Sequence, residues 1–130
     1  RVMTAEDNTT NQLVFRKMTK GMDIDLKFAN NGIEAVELFQ EFQPDLVFMD
    51  ISMPKMDGKE ATQKIRELQA GSDKRTPIIA CTAHAMAGDK DAILAAGLDD
   101  YLTKPLKRQG IEHILRTYGG LEIAPRAAQA

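Results

Sequence analysis

Two runs of the chain are apolar at every position rather than at every second one: Leu46-Val47-Phe48-Met49 and Pro77-Ile78-Ile79-Ala80-Cys81. Successive side chains of a strand point to opposite faces, so a continuous run suits a strand covered on both sides. Helix-like segments separate the runs. Val2-Met3-Thr4-Ala5 is a short strand candidate, and Thr9 or Thr10 can cap a helix carrying Leu13, Val14 and Met18 that stops at Gly21. Ile24, Leu26 and Phe28 alternate as in a strand open on one side. Asn30-Asn31-Gly32 turns the chain into a helix with a stripe of Val36, Leu38 and Phe39. Further helices are expected over 59–68, 88–96 and 106–118, with a last strand at Asp100-Tyr101-Leu102-Thr103. Strand and helix alternating in this way predict an α/β fold: a doubly wound parallel sheet with helices on both faces.

Such a sheet binds ligands beyond the carboxyl ends of its strands. The residues found there are Glu6 and Asp7 after the first strand, Asp50 after the third, Thr82 after the fourth, and Lys104-Pro105 after the fifth. Three carboxylates at close range repel, so together they either hold a proton or bind a cation. Oxygen ligands without Cys or His favour Mg²⁺ or a relative such as Mn²⁺ over zinc. Lys104 and Thr82 suit phosphoryl oxygens, and a charge-compensated Asp50 can serve as a nucleophile that forms an aspartyl phosphate.

Each residue also has a plainer reading. Glu6-Asp7 could favour a helix N-terminus, Asp50 could be a turn acid, Thr82 a strand-end hydroxyl and Lys104 a surface lysine. Cys81 and the methionines Met49, Met53 and Met56 read as packing, and His84 and His113 are isolated. The joint occurrence of the strand-end residues at one edge is what favours chemistry.

Composition narrows the classes. A chain of 130 residues with 43% hydrophobic and 28% charged residues suits one globular domain. The net charge of −2, with Lys and Arg scattered, argues against nucleic acid as a partner. No apolar stretch is long enough to span a bilayer and no signal peptide is evident, so no membrane contact is expected. The single cysteine fits a reducing cytoplasm. The opening on Arg1 rather than Met suggests a piece of something longer, with a domain over 1–118 and a disordered tail or linker over 119–130.

The motifs "AEDN", "DISMPKMDG", "CTAHAMAGD" and "AAGLDDYLTKP" resemble the receiver domain of two-component response regulators, and most of all the receivers of hybrid sensor histidine kinases. The resemblance implies a flavodoxin-like fold of five strands in the order 2-1-3-4-5 with five helices. It implies that Asp50 accepts a phosphoryl group from a histidine kinase or a histidine phosphotransfer protein. Glu6, Asp7, Asp50 and the Ser52 backbone carbonyl would hold Mg²⁺, while Thr82 and Lys104 would contact phosphoryl oxygens. Thr82 and Tyr101 would form a conformational switch, and Lys104-Pro105 would carry a cis peptide. Small residues at Ser52 and Ala83 would leave the phosphoryl group accessible, as in a relay or phosphate sink, with His84 at the rim. The domain itself turns over no free substrate, although a parent hybrid kinase would be an enzyme. A stand-alone single-domain regulator is the alternative. A haloacid-dehalogenase-like phosphatase is less favoured because Ser52 stands where that family places a second acid.

Overall fold

The computed structural model describes residues 1–22, 24–51, 56–70, 75–82, 87–104 and 106–118, without side chains at 87–90. Ser52, Met53, Ala83, His84, Pro105 and the tail 119–130, all subjects of expectations above, lie outside the described residues. Ten elements alternate along the chain: β1 (Val2–Ala5), α1 (Thr9–Met18), β2 (Leu26–Ala29), α2 (Gly32–Phe42), β3 (Leu46–Asp50), α3 (Gly58–Gln69), β4 (Ile78–Thr82), α4 (Ala87–Ala95), β5 (Asp100–Thr103) and α5 (Arg108–Tyr118). The strands form one parallel sheet in the order β2-β1-β3-β4-β5, as expected.

The continuous apolar runs become the central strands. Every residue of β3 and β4 is buried, whereas the edge strands β2 and β5 are partly exposed. The pleat divides the core into two layers. Met3, Val47, Met49, Ile78 and Ala80 pack with α2, α3 and α4 on one face. Val2, Leu46, Phe48, Ile79 and Cys81 pack with α1 and α5 on the other. On that second face Phe15 is the anchor of α1, its ring edge-on to Phe48 at 5.1 Å and to Phe28 at 6.2 Å.

Two local expectations are corrected. Asn8, not Thr9 or Thr10, caps α1: its extended backbone lets the side chain accept from Asn11 N–H, and Thr9 is already helical. The buried residue of α1 is Phe15, while Leu13 and Val14 are 52% and 42% exposed, because the turn carrying Phe15 faces the sheet. In α2 the buried stripe is Ala35, Phe39 and Phe42, so Phe39 is where it was expected, while Val36 and Leu38 pack partly buried against the same core layer. Asn31 and Asp57 cap α2 and α3 through the same side-chain-to-backbone bond.

Opposite the carboxyl edge, Arg66 of α3 ties three segments together. It donates to the Thr76 carbonyl at 2.8 Å and the Gly97 carbonyl at 3.0 Å, and pairs with Asp99 at 2.7 Å. Among the described residues no helix is long and apolar enough to cross a membrane.

Candidate functional site at the carboxyl edge of the sheet

Parallel strands in register bring their ends to one edge. Ala5 aligns with Met49, and Asp50 with Cys81, so Glu6 follows β1 where Asp50 ends β3. Asp50 continues the row of Leu46 and Phe48 on the α1/α5 side, where Glu6 continues the row of Val2 and Thr4. Carboxylate oxygens of Glu6, Asp7 and Asp50 all lie within 4.8 Å of one another. Glu6 and Asp50 are buried, at 7% and 3% exposure, whereas Asp7 faces solvent.

Lys104 closes the cluster from the end of β5. Its Nζ lies 3.1 Å from Asp50 Oδ2 and 3.6 Å from Glu6 Oε1. The backbone fixes this approach, because Lys104 N–H donates to the Thr82 carbonyl at 2.8 Å. Burial works against the ammonium, but the Asp50 hydrogen bond and the two carboxylate charges outweigh it, and the Lys104 pKa is raised. Burial also raises Glu6 above the ordinary carboxylate range. The Asn8 N–H donated to it opposes that shift, and the neighbouring Asp50 charge adds to it. One ammonium against three carboxylates leaves the site short of positive charge. A hard oxygen donor set with that deficit fits a divalent cation such as Mg²⁺.

Residues that composition and spacing did not single out position these groups. Gln12 Nε2 donates to the Glu6 carbonyl at 2.6 Å and to Asn30 Oδ1 at 2.8 Å, anchoring the turn after β1. Gly58 N–H donates to the Ile51 carbonyl at 3.0 Å, and a Cβ at Gly58 would overlap the Asp50 carbonyl oxygen. Gly32 is held the same way: its N–H donates to the Met56 carbonyl at 3.0 Å, where a Cβ would clash. Two glycines in contact with the segment after β3 are thus required by close backbone approach rather than by turn geometry.

Thr82 lies one residue beyond Asp50's register partner, buried at 9% exposure, in the row of Ile78 and Ala80 that faces α3 and α4. Tyr101 aligns with Ala80 and packs, half-buried, against the same core layer. Thr82 and Tyr101 therefore share the α4 side, while Asp50 and Lys104 share the α5 side. Cys81 lies beneath the cluster with its thiol pushed up to about 12 by burial and then by the Asp50 charge, which makes it a packing group. His113 is exposed on α5.

A doubly wound sheet with buried acids and a lysine at its carboxyl edge defines a class of phosphoryl- and cation-handling α/β domains. Residues 2–116 match the family model of the response regulator receiver domain, and the chain belongs to that family. It is a receiver domain of two-component signalling. Hybrid signal transduction histidine kinase I of Dictyostelium discoideum is 39% identical over 122 residues, which are 90% of this chain and 7% of that protein. The chain thus spans a small fraction of such relatives. The receiver domain of the sensor histidine kinase PA1611 from Pseudomonas aeruginosa PAO1 superposes with a TM-score of 0.81 at 38% identity, covering 92% of this chain and 96% of that one. In that structure a magnesium ion is coordinated in the active site cleft. The receiver domain of Ssk1 from Saccharomyces cerevisiae, crystallised with the histidine phosphotransfer protein Ypd1, gives a TM-score of 0.84 at 32% identity, covering 95% and 92% of the two chains.

Proposed function

We propose that this domain is the phosphoacceptor of a phosphorelay and that Asp50 carries the phosphoryl group. The contact of 3.1 Å between Lys104 Nζ and Asp50 Oδ2, inside a cluster of three carboxylates, is the observation that carries this reading. An Asp50 carboxylate oxygen bonds to phosphorus as the phosphorus–nitrogen bond of a donor phosphohistidine breaks. The electron pair of that bond leaves with the imidazole nitrogen. The Lys104 ammonium would compensate charge on the transferred group, and the Thr82 hydroxyl would bond another phosphoryl oxygen, as the family pattern implies.

Glu6, Asp7 and Asp50, with the Ser52 carbonyl expected from the family pattern, would hold Mg²⁺. When bound, the ion neutralises charge on the phosphoryl oxygens. The same pull from the phosphoryl group on Thr82 would free space beside Ala80 for Tyr101 to turn inward, changing the α4–β5–α5 surface.

The similarity to hybrid kinases supports an origin within such a kinase, with a histidine kinase core or a phosphotransfer protein as donor and a cytoplasmic location. Mg²⁺-dependent phosphorylation by acetyl phosphate, compared between the native chain and Asp50→Asn, tests the acceptor assignment. Label retained by the variant would refute it.

A further inference from the structure

The turn after β1 carries Glu6 and Asp7, and its backbone is gripped from two directions. Glu6 N–H donates to the Ala29 carbonyl at 2.9 Å, which continues the pairing of β1 with β2. The Glu6 carbonyl lies beyond the last strand pair, Ala5 with Ala29, and accepts instead from Gln12 Nε2 at 2.6 Å. A peptide group is planar, so fixing the Glu6 carbonyl also fixes the direction in which the chain enters Asp7. That matters most for Asp7, the one carboxylate of the cluster that faces solvent and has no burial to hold it.

Gln12 is itself held in place. The same Nε2 donates to Asn30 Oδ1 at 2.8 Å, so one amide spans the turn after β1 and the turn after β2. Asn30 is tethered in turn, because its backbone N–H and its side-chain amide both donate to Glu34 Oε1, at 3.1 and 2.9 Å. Glu34 belongs to the first turn of α2, where its N–H donates to the Asn31 side chain at 2.9 Å. Gly32 of the same turn donates its N–H to the Met56 carbonyl at 3.0 Å, so the stretches that follow β1 and β3 share one anchor. A polar residue on a helix surface needs no partner, yet the Gln12 amide joins two separate turns.

We propose that Gln12 is a positioning residue of the cation site: by tying the Glu6 carbonyl to the Asn30 anchor it fixes the approach of Asp7 and makes the site select Mg²⁺ over the larger Ca²⁺. This inference rests on the reading of Glu6, Asp7 and Asp50 as the cation's ligands. Mg²⁺ demands a near-octahedral set of oxygens at short distance, whereas Ca²⁺ accepts longer bonds and irregular geometry. A ligand carried on a loosened turn therefore costs Mg²⁺ more than Ca²⁺. Groups that orient metal ligands account for about ten- to hundredfold in affinity. Gln12 belongs at the lower end of that range, because it is only partly buried and Asn30 is exposed.

The test is an amide chemical-shift titration of the chain with MgCl₂ and, separately, with CaCl₂, in the absence of any phosphodonor. Gln12→Met keeps the length and helix preference of the side chain and removes the amide. It should weaken Mg²⁺ about tenfold and Ca²⁺ less than about twofold, with the unfolding temperature of the ion-free chain close to native. Asn30→Ala, which frees Gln12 from its anchor, should weaken Mg²⁺ by a smaller factor and add nothing to Gln12→Met, since both act through one contact. With acetyl phosphate as donor, Gln12→Met should need about tenfold more Mg²⁺ for half-saturation yet reach the native rate at saturation. Native Mg²⁺ affinity in Gln12→Met, equal loss of both ions, or additive effects of the two substitutions would overturn the proposal. Asp7→Asn tests the cation-site reading separately: if it binds Mg²⁺ as the native chain does, that reading fails and this inference falls with it.

Discussion

Lys104 Nζ approaches Asp50 Oδ2 at 3.1 Å and Glu6 Oε1 at 3.6 Å, so one ammonium at the end of β5 neutralises part of two buried carboxylates at the ends of β1 and β3. The contact joins strands from across the sheet, and both its stability and its chemistry follow from that placement. Replacing Lys104 by Met leaves Glu6 and Asp50 without their counter-charge. The variant should lose about 1–3 kcal/mol in urea unfolding at neutral pH, reduced by solvent access to the site. Because the folded-state Lys104 pKa is raised, its contribution is fully present below 10.5 and is lost as pH climbs through the higher folded value. Native chain and variant should therefore converge in stability only at strongly alkaline pH.

Glu6 gives the opposite edge of the pH range. Burial raises its pKa above the ordinary 4.5, so a proton competes with a divalent cation at higher pH than for an exposed carboxylate. Mg²⁺ affinity, followed by calorimetry, should fall as pH drops, beginning above 4.5. Glu6→Gln should weaken the ion and shift that dependence toward lower pH. For folding the sign is reversed: a raised carboxylate pKa favours the protonated folded state, so acidification through that value relieves the Glu6–Asp50 repulsion.

Gly58→Ala should disturb Asp50 without touching any reacting atom. Its Cβ would meet the Asp50 carbonyl oxygen, so the backbone at the end of β3 must shift. Thermal unfolding should show a loss of about 1–3 kcal/mol, typical of overpacking. The rate of phosphorylation by acetyl phosphate should drop by more than global stability explains.

Cys81 should behave as an inert thiol. With its pKa pushed up to about 12 and 3% of its surface exposed, it should resist iodoacetamide in the folded chain at pH near 8. Labelling should appear on unfolding in guanidinium chloride.

The parts of this account that were legible from sequence are those set by period and position. An apolar run ending in Asp50 announces a central strand and places an acid at the functional edge, and Glu6, Asp7, Thr82 and Lys104 follow from the same rule. What local pattern could not supply was a choice between neighbouring candidates. Asn8 and Thr9 are both competent caps, and backbone conformation selects Asn8. Phe15, Leu13 and Val14 all suit an apolar face, and only packing on Phe48 shows which one turns inward. The support of Glu6 by Gln12 and Asn30 was equally hidden, because it joins polar side chains from separate elements once β1 and β2 pair. The close approaches at Gly32 and Gly58 look like ordinary turn glycines until the carbonyl oxygens facing them are located.

The central claim is that Asp50 accepts a phosphoryl group in a site completed by Mg²⁺. Intact-mass analysis after incubation with acetyl phosphate and Mg²⁺ tests it most directly. The account predicts a mass gain of one phosphoryl group, reversed by hydroxylamine and absent both in EDTA and in Asp50→Asn. The same gain in Asp50→Asn, or in the native chain stripped of divalent cations, would contradict it.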